Sequence, residues 1–161
     1  MTQDYINLLK TYPVWDYSQA NIAELEKIGI SNVTFCGIGY EPELSMIQDA
    51  QEDIDVLFYG SLNQRRLKVL EELKAQGANV VNLFGVYGKK RDLYISRAKI
   101  VLNIHYYESR VFEIVRVSYL LANKQFVLSE TGLEKEIEKY FSGGVAFAEY
   151  DDLVELCLYY L

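Results

Sequence analysis

From residue 55 onward, short apolar runs alternate with longer stretches whose apolar residues recur every three or four positions. The short runs predict strands at 55–59, 79–84, 100–104, 126–128 and 145–148. The longer stretches predict helices at 65–76, 89–98, 109–123 and 133–140, and a last one capped by Asp151 or Asp152. Such alternation predicts an α/β fold, a Rossmann-like parallel sheet of about five strands with right-handed crossover helices on both faces.

The first forty residues follow a different pattern. A short helix is predicted at 4–10, and a second helix begins after the capping residue Ser18 and ends before Gly29. A β-branched and aromatic strand is predicted at 32–36, before an acidic stretch with few large apolar residues. We therefore expect a short helical and strand segment over residues 1–52, followed by the Rossmann-like domain over residues 53–161.

The charge of the chain limits its partners. The 161 residues are enough for one real core, and the formal net charge is −7. Nucleic acids and anionic membrane surfaces are disfavoured as partners because the only dense basic run is Lys89-Lys90-Arg91. A small anionic ligand remains open, since a few local arginines suffice to bind one.

Localisation and completeness can also be predicted. The two cysteines stand far apart, no apolar run approaches a membrane span, and no signal peptide begins at Met1, so we expect a cytoplasmic protein. The last six residues form an apolar helical pattern with no stop signal. This indicates either a truncated chain or a surface covered by a partner, such as a second copy or a missing domain.

Gly60, directly after the first strand of the predicted sheet, begins the first candidate site. A glycine there lets a phosphate approach the backbone, and the following helix presents free N–H groups. Arg65 and Arg66 lie in the first helical turn, where a cation is otherwise unfavourable, and both can bond a diphosphate. The alternative is a plain turn followed by two solvated arginines.

Residues 103–116 contain the second candidate site. His105 is the only histidine and follows a predicted strand, and Glu113 is expected inside an apolar helix, where its carboxylate can accept both hydrogen bonds of a ribose diol. The alternatives are a partly buried histidine bonded to backbone, and a salt bridge from Glu113 to Arg110 or Arg116 on the same helix.

Several of the fourteen tyrosines fall near strand ends or loops, among them Tyr87 beside the turn glycine Gly85, and Tyr107. These rings suit stacking on a sugar or base, although ordinary packing explains most tyrosines equally well. The sequence lacks a P-loop, a Gly-x-Gly-x-x-Gly fingerprint and a nucleophile elbow. With a single histidine, the chain offers few ligands for a zinc site, so no metal or cofactor is expected.

Residues 55–66, 83–88, 105–113 and 129–130 together resemble the C-terminal, nucleotide-sugar-binding domain of bacterial family-1-type glycosyltransferases with the GT-B fold. The early segments 14–18 and 38–40 look like the end of the N-terminal domain and the interdomain linker of those proteins. The resemblance covers nearly the whole chain. It implies that the chain is one half of a GT-B enzyme whose other half is mostly missing.

The resemblance also implies a ligand and a residue set. GT-B enzymes hold a nucleotide-diphosphate sugar, here UDP- or GDP-linked, and many retaining members carry two glutamates eight positions apart. Glu113 matches the second glutamate, which bonds the ribose, whereas His105 replaces the first and is the residue expected to face the sugar and act catalytically. The implied substrate-binding residues are Gly60, Ser61, Arg65, Arg66, Gly85, Tyr87, Tyr107, Arg110 and Glu113.

The resulting functional prediction is a glycosyltransferase domain of hexosyltransferase type, whose isolated chain transfers sugar poorly. Two alternatives stay open: a non-catalytic nucleotide-binding or interaction module of the same fold, and a nucleotide-sugar epimerase-like enzyme. The replacement of the first glutamate by His105 favours the non-catalytic module.

Overall fold

Seven β-strands and seven α-helices are found in the computed structural model, which describes residues 1–161. The strands are β1 (Val14–Asp16), β2 (Val33–Phe35), β3 (Ile54–Tyr59), β4 (Val80–Leu83), β5 (Ala98–Asn103), β6 (Val127–Glu130) and β7 (Val145–Ala148). The helices are α1 (Gln3–Thr11), α2 (Gln19–Lys27), α3 (Gln64–Ala75), α4 (Gly88–Ile95), α5 (Ile114–Ala122), α6 (Lys135–Phe141) and α7 (Leu153–Tyr160). Two short 3-10 helices cover Pro42–Leu44 and Tyr150–Asp152.

The chain divides into two compact units, Met1–Gly39 and Tyr40–Leu161, which we call the N-terminal and C-terminal units. In the N-terminal unit, β1 and β2 pair in parallel and α1 and α2 precede them in turn along the chain. Ser18 caps α2 as expected, because its hydroxyl accepts a hydrogen bond of 3.2 Å from the backbone N–H of Asn21.

The C-terminal unit contains a five-stranded sheet in the order β4-β3-β5-β6-β7, and all neighbouring strands are parallel. This confirms the α/β fold with a parallel sheet of about five strands. The chain goes from β3 to β4 on one side, whereas β5 lies on the other side of β3 and the later strands continue in that direction. The carboxyl ends of β3 and β5 therefore flank the topological switch point, where open α/β sheets bind their ligands.

Helices cover both faces of this sheet. Successive strand residues point to opposite faces, so the neighbours Phe58 and Tyr59 show what lies on each. Phe58 is fully buried in a cluster with the apolar residues of α3 and α7. Tyr59 instead lies beneath the guanidinium groups of Arg91 from α4 and Arg116 from α5.

The amino-terminal edge of the sheet carries two ion pairs, both partly exposed. Arg97 contacts Asp53 at 2.6 Å and Lys99 contacts Asp55 at 2.7 Å. The hydrogen bond from Arg97 lowers the pKa of the Asp53 carboxyl. These pairs lie at the edge of the sheet opposite to the switch point.

Most predicted boundaries differ from the structure by one or two residues, and two differ by more or change the element type. The helix expected at 109–123 begins only at Ile114, and Ala98, expected to end α4, is the first residue of β5. β1 has no counterpart among the predicted strands, because three residues with Trp15 exposed show no readable alternation. No helix of the chain combines the length and the apolar character that a bilayer crossing requires.

Candidate functional site

A crevice of about 400 Å³ opens between the carboxyl ends of β3 and β5. We call it the switch-point crevice, and it is lined by Gly60, Ser61, Arg66, Tyr106, Tyr107 and Arg116. Gly60 has a φ of +136°, which L side chains rarely adopt, and a Cβ there would lie 3.2 Å from Nη2 of Arg116. The N–H of Gly60 donates to the carbonyl of Leu83, so it is not free to bind a ligand. What Gly60 contributes to the crevice is the absence of a side chain.

Arg66 joins the two loops that form the crevice. Its Nη1 donates to the carbonyl of Ser61 at 2.8 Å, and its Nη2 donates to the carbonyl of Ile104. The guanidinium lies 5.2 Å from the ring centroid of Phe58 and 5.1 Å from that of Tyr106. With only 4% of the residue exposed, Arg66 acts first as a buried clamp between the β3 and β5 loops.

Asn63 reinforces the same junction. Its side-chain oxygen accepts from the N–H of Arg66 at 2.9 Å and caps α3, while its Nδ2 donates to the carbonyl of Tyr106 at 3.1 Å. One short side chain therefore starts the helix and ties the β5 loop to it.

Arg65 points away from this junction and pairs with Glu130 at the end of β6. Both oxygens of Glu130, whose side chain is fully buried, accept from the Arg65 guanidinium, and the N–H of His105 adds a third bond at 3.0 Å. The Arg65 guanidinium also lies 3.9 Å from the ring centroid of Tyr150. Arg65, which the sequence suggested as a contact for the diphosphate, is thus engaged in an internal ion pair.

Glu113 lies at the position before α5, not inside a helix as expected. Its Oε2 accepts from Nδ2 of Asn103 at 2.8 Å, and its Oε1 lies 3.9 Å from Nη2 of Arg66. The alternative interpretation, a salt bridge to Arg110 or Arg116 on the same helix, is not found; Glu113 has these partners from β5 and α3, and the charge of Arg116 acts on it from beyond salt-bridge distance. The carboxylate is close to the arginine of the crevice, as the sequence prediction required.

His105 lies behind Glu113. Nδ1 of its ring is 3.1 Å from Oε2 of Glu113, although this contact lacks the geometry of a regular hydrogen bond. The residue is 1% exposed and does not line the crevice, which differs from the expected position facing the sugar. Nε2 has no hydrogen-bond partner and faces Gly132, where a Cβ would stand 3.3 Å from it.

The surroundings of Glu113 set its ionisation. Burial acts to raise the pKa of this carboxyl, but the contact with His105, the hydrogen bond from Asn103 and the charge of Arg116 together bring the pKa below its usual value. Glu113 is therefore an anion at neutral pH. Its Oε1, which has only the long contact to Arg66, retains the capacity to accept a ligand hydroxyl.

Tyr106 and Tyr107 form a wall between the switch-point crevice and a neighbouring one of about 330 Å³. Their rings meet edge to face with centroids 4.8 Å apart, and Tyr107 is largely exposed. Arg110 lines the neighbouring crevice and has a positive φ of 41°. Tyr107 and Arg110 thus lie beside the crevice that Gly60 and Ser61 line.

Gly85 and Tyr87, by contrast, do not line either crevice. Both belong to the loop after β4, where Gly85 has a φ of +69° and Tyr87 precedes α4 with its ring mostly in solvent. They share the carboxyl edge of the sheet with the crevice, but the structure does not bring them into it.

Sequence reasoning missed three polar residues of the site: the buried Asn103 and Glu130, and the half-buried Arg116 as a crevice residue. The signal that could have found Asn103 and Glu130 is a polar residue at the carboxyl end of a buried strand, since such residues need partners. The histidine, cysteine and acidic side chains form no group of three that could hold a metal ion.

The comparisons with known proteins add relatives without a stated activity. No protein-family model matches the chain. An uncharacterized protein of Acanthamoeba polyphaga mimivirus is 33% identical over 108 residues, which are 64% of this chain and 12% of the relative. A second uncharacterized protein of the same virus is 28% identical over 164 aligned positions, covering 96% of this chain and 53% of the relative.

A third uncharacterized mimivirus protein is 30% identical over 148 residues, covering 89% of this chain and 51% of the relative. The chain thus spans about half the length of the second and third relatives and a small part of the first. It is similar to these viral proteins, whose names assign no reaction.

Proposed function

We propose that the C-terminal unit binds a nucleotide-diphosphate sugar in the switch-point crevice and serves a glycosyltransferase. The observation that carries the proposal is the lining of this crevice, where two guanidinium groups, Arg66 and Arg116, stand beside Gly60. This cationic site belongs to a chain with a net charge of −7, and it lies where α/β sheets bind ligands. The resemblance of residues 55–130 to GT-B glycosyltransferases supports the same ligand.

In this proposal, the diphosphate lies in the crevice beside Gly60, in the positive field of the two guanidinium groups. Glu113 accepts a ribose hydroxyl through Oε1, and Tyr107 supplies a ring for stacking. Charge that develops on the leaving diphosphate is stabilised by the fixed guanidinium groups, so transfer of this type needs no metal. His105 is a positioning residue here, because its ring contacts Glu113 and not the crevice.

A thermal-shift panel of UDP, GDP, ADP, CDP and dTDP tests the ligand class. A ligand at about 100 times its Kd adds about 2.7 kcal/mol to the folded state, which for a domain of this size raises Tm by roughly 5–10 °C. We expect at least one diphosphate to raise Tm in the native chain and in Arg97→Ala, whose change lies at the opposite edge of the sheet. If no diphosphate raises Tm of the native chain, the proposal fails.

A non-catalytic nucleotide-binding module is the second candidate. It is favoured by the burial of His105, because the six residues that line the crevice include no imidazole or carboxylate for proton transfer. Mass spectrometry of a bound nucleotide sugar, incubated with and without sugar acceptors, separates the two. Binding without release of the nucleoside diphosphate supports the module, and release supports the transferase.

A further inference from the structure

Arg116 differs from the other cations of the site because its direct contacts are with neutral groups, and Glu113 acts on it only from beyond salt-bridge distance. Its Nη1 donates to Oδ1 of Asn103 at 3.0 Å, and its guanidinium lies 4.8 Å from the ring centroid of Tyr59. It forms no salt bridge with a carboxylate. An amide oxygen and an aromatic ring orient a cation without neutralising it, so the charge of Arg116 remains available to a ligand.

The orientation of Arg116 is fixed from below by Asn103, which is fully buried. The Nδ2 of Asn103 donates to Oε2 of Glu113 at 2.8 Å and to Oγ of Ser129 at 3.0 Å. Because both amide hydrogens are used, the amide oxygen must face Arg116. The buried polar network of β5 and β6 therefore presents this guanidinium to the crevice.

Arg65 and Arg66 are less able to act as ligand cations. Arg65 is neutralised by Glu130, and Arg66 is almost wholly buried while it donates to two loop carbonyls. Arg116 is only half-buried, it lines the crevice, and its Nη2 would lie 3.2 Å from a Cβ at Gly60. It is thus the one arginine of the crevice that has both access and no carboxylate within salt-bridge distance.

The positive charges of Arg66 and Arg116 also favour an anionic ligand. Arg66 and Arg116 are close enough that, after burial, the charge of Arg116 is the next cause that lowers the pKa of Arg66. Glu113 is a carboxylate that interacts with both arginines, and it also contacts His105. A nucleoside diphosphate carries more negative charge at neutral pH than the corresponding monophosphate, so it relieves this repulsion more fully, since the interaction scales with charge.

We propose that Arg116 is the residue that contacts the diphosphate and makes the crevice select a nucleoside diphosphate over the corresponding monophosphate. The inference rests on the proposed function, because it names the cation of that same site. It moves the main diphosphate contact from the start of α3, where the sequence placed it, to the first turn of α5. Arg65 and Arg66 then act by holding the loops that form the crevice.

Calorimetric titration with UDP, UMP, GDP and GMP tests the inference on the native chain and three variants: Arg116→Gln, Arg116→Lys and the control Arg97→Gln. We expect the diphosphate of the better base to bind the native chain and Arg97→Gln about 10- to 100-fold more tightly than its monophosphate. In Arg116→Gln this ratio falls to about 1–3, whereas Arg116→Lys keeps part of it because the charge remains.

The outcomes separate the two claims. If the native chain binds a diphosphate and Arg116→Gln keeps the diphosphate-to-monophosphate ratio, the inference is overturned while the proposed function stands. If the native chain binds none of the four nucleotides, the proposed function fails first. Selectivity through this charge is also contradicted if Arg116→Gln and Arg116→Lys both lose affinity for the diphosphate and for the monophosphate to the same extent, with unchanged Tm.

Discussion

Arg65 provides a sharp test of the site, because the structure makes it a partner of Glu130 where the sequence suggested a ligand contact. Replacing Arg65 by Leu leaves the carboxylate of Glu130, which is fully buried, with only the N–H of His105 as a donor. The substitution also removes the guanidinium from the face of Tyr150. The expected result is a large loss of stability.

The magnitude follows from the burial of the two partners. Removing one partner of a buried ion pair costs about 3–5 kcal/mol. The Arg65 side chain is 33% exposed and Glu130 keeps one hydrogen bond, so we expect the lower end, about 3 kcal/mol. For a domain of this size that loss lowers Tm by roughly 6–12 °C.

Urea denaturation followed by circular dichroism measures this free energy for Arg65→Leu, Glu130→Leu and the double variant. We expect the double variant to be less destabilised than the sum of the single ones, by about 1–3 kcal/mol of coupling. Arg97→Leu is the matched control, because its pair with Asp53 is exposed and is worth at most about 1 kcal/mol. Equal losses in Arg65→Leu and Arg97→Leu would refute the reasoning.

Three further predictions concern single groups. A Cβ at Gly132 would clash with the carbonyl oxygen of Arg110, so Gly132→Ala should lower the free energy of unfolding by about 1–3 kcal/mol in the same urea assay; an unchanged midpoint would contradict the packing. The pKa of Glu113 is below its usual value, so the contribution of its carboxylate to the free energy of unfolding is present above pH 4.5 and is lost as pH falls through the folded-state pKa. Glu113→Gln should therefore reduce the dependence of the free energy of unfolding on pH in the acid range. An unchanged dependence would count against the contacts of Glu113. Burial raises the pKa of the Cys157 thiol to about 12, so a disulfide reagent should label the exposed Cys36 first and Cys157 only on unfolding, and rapid labelling of both in the folded chain would be inconsistent with this burial.

Local signals in the sequence were sufficient for most of the fold. The run Val145–Ala148 is a strand with the predicted bounds, and Ser18 caps a helix because its hydroxyl has an N–H within reach three residues later. The alternation of such elements is what determines a parallel sheet with crossover helices. The strand order, and with it the switch point between β3 and β5, required the structure.

The segment before α5 shows where local reasoning fails. The spacing of Phe112 and Val115 is helical, but Phe112 is buried and Arg110 has a positive φ, so the chain reaches Glu113 in another conformation. Tertiary contacts hold it there, since Glu113 is bonded to Asn103 of β5. Propensity is a weak prior that such contacts override.

The pairing of buried polar groups was equally out of reach of the sequence. Arg65 and Glu130 are 65 positions apart, and no pattern in either segment identifies the other as its partner. For the same reason, the role of Arg116 becomes visible only when β5 brings Asn103 beneath it. The residue types of the site were therefore readable, but their division into ligand contacts and internal clamps was not.

The most direct test of the central claim is a two-dimensional amide NMR titration of the native chain with UDP and with GDP. The account predicts that the shifted resonances of at least one titration cluster at Gly60, Ser61, Tyr106, Tyr107 and Arg116, the residues of the switch-point crevice. Shifts confined to other parts of the chain, or none with either nucleotide, would contradict it.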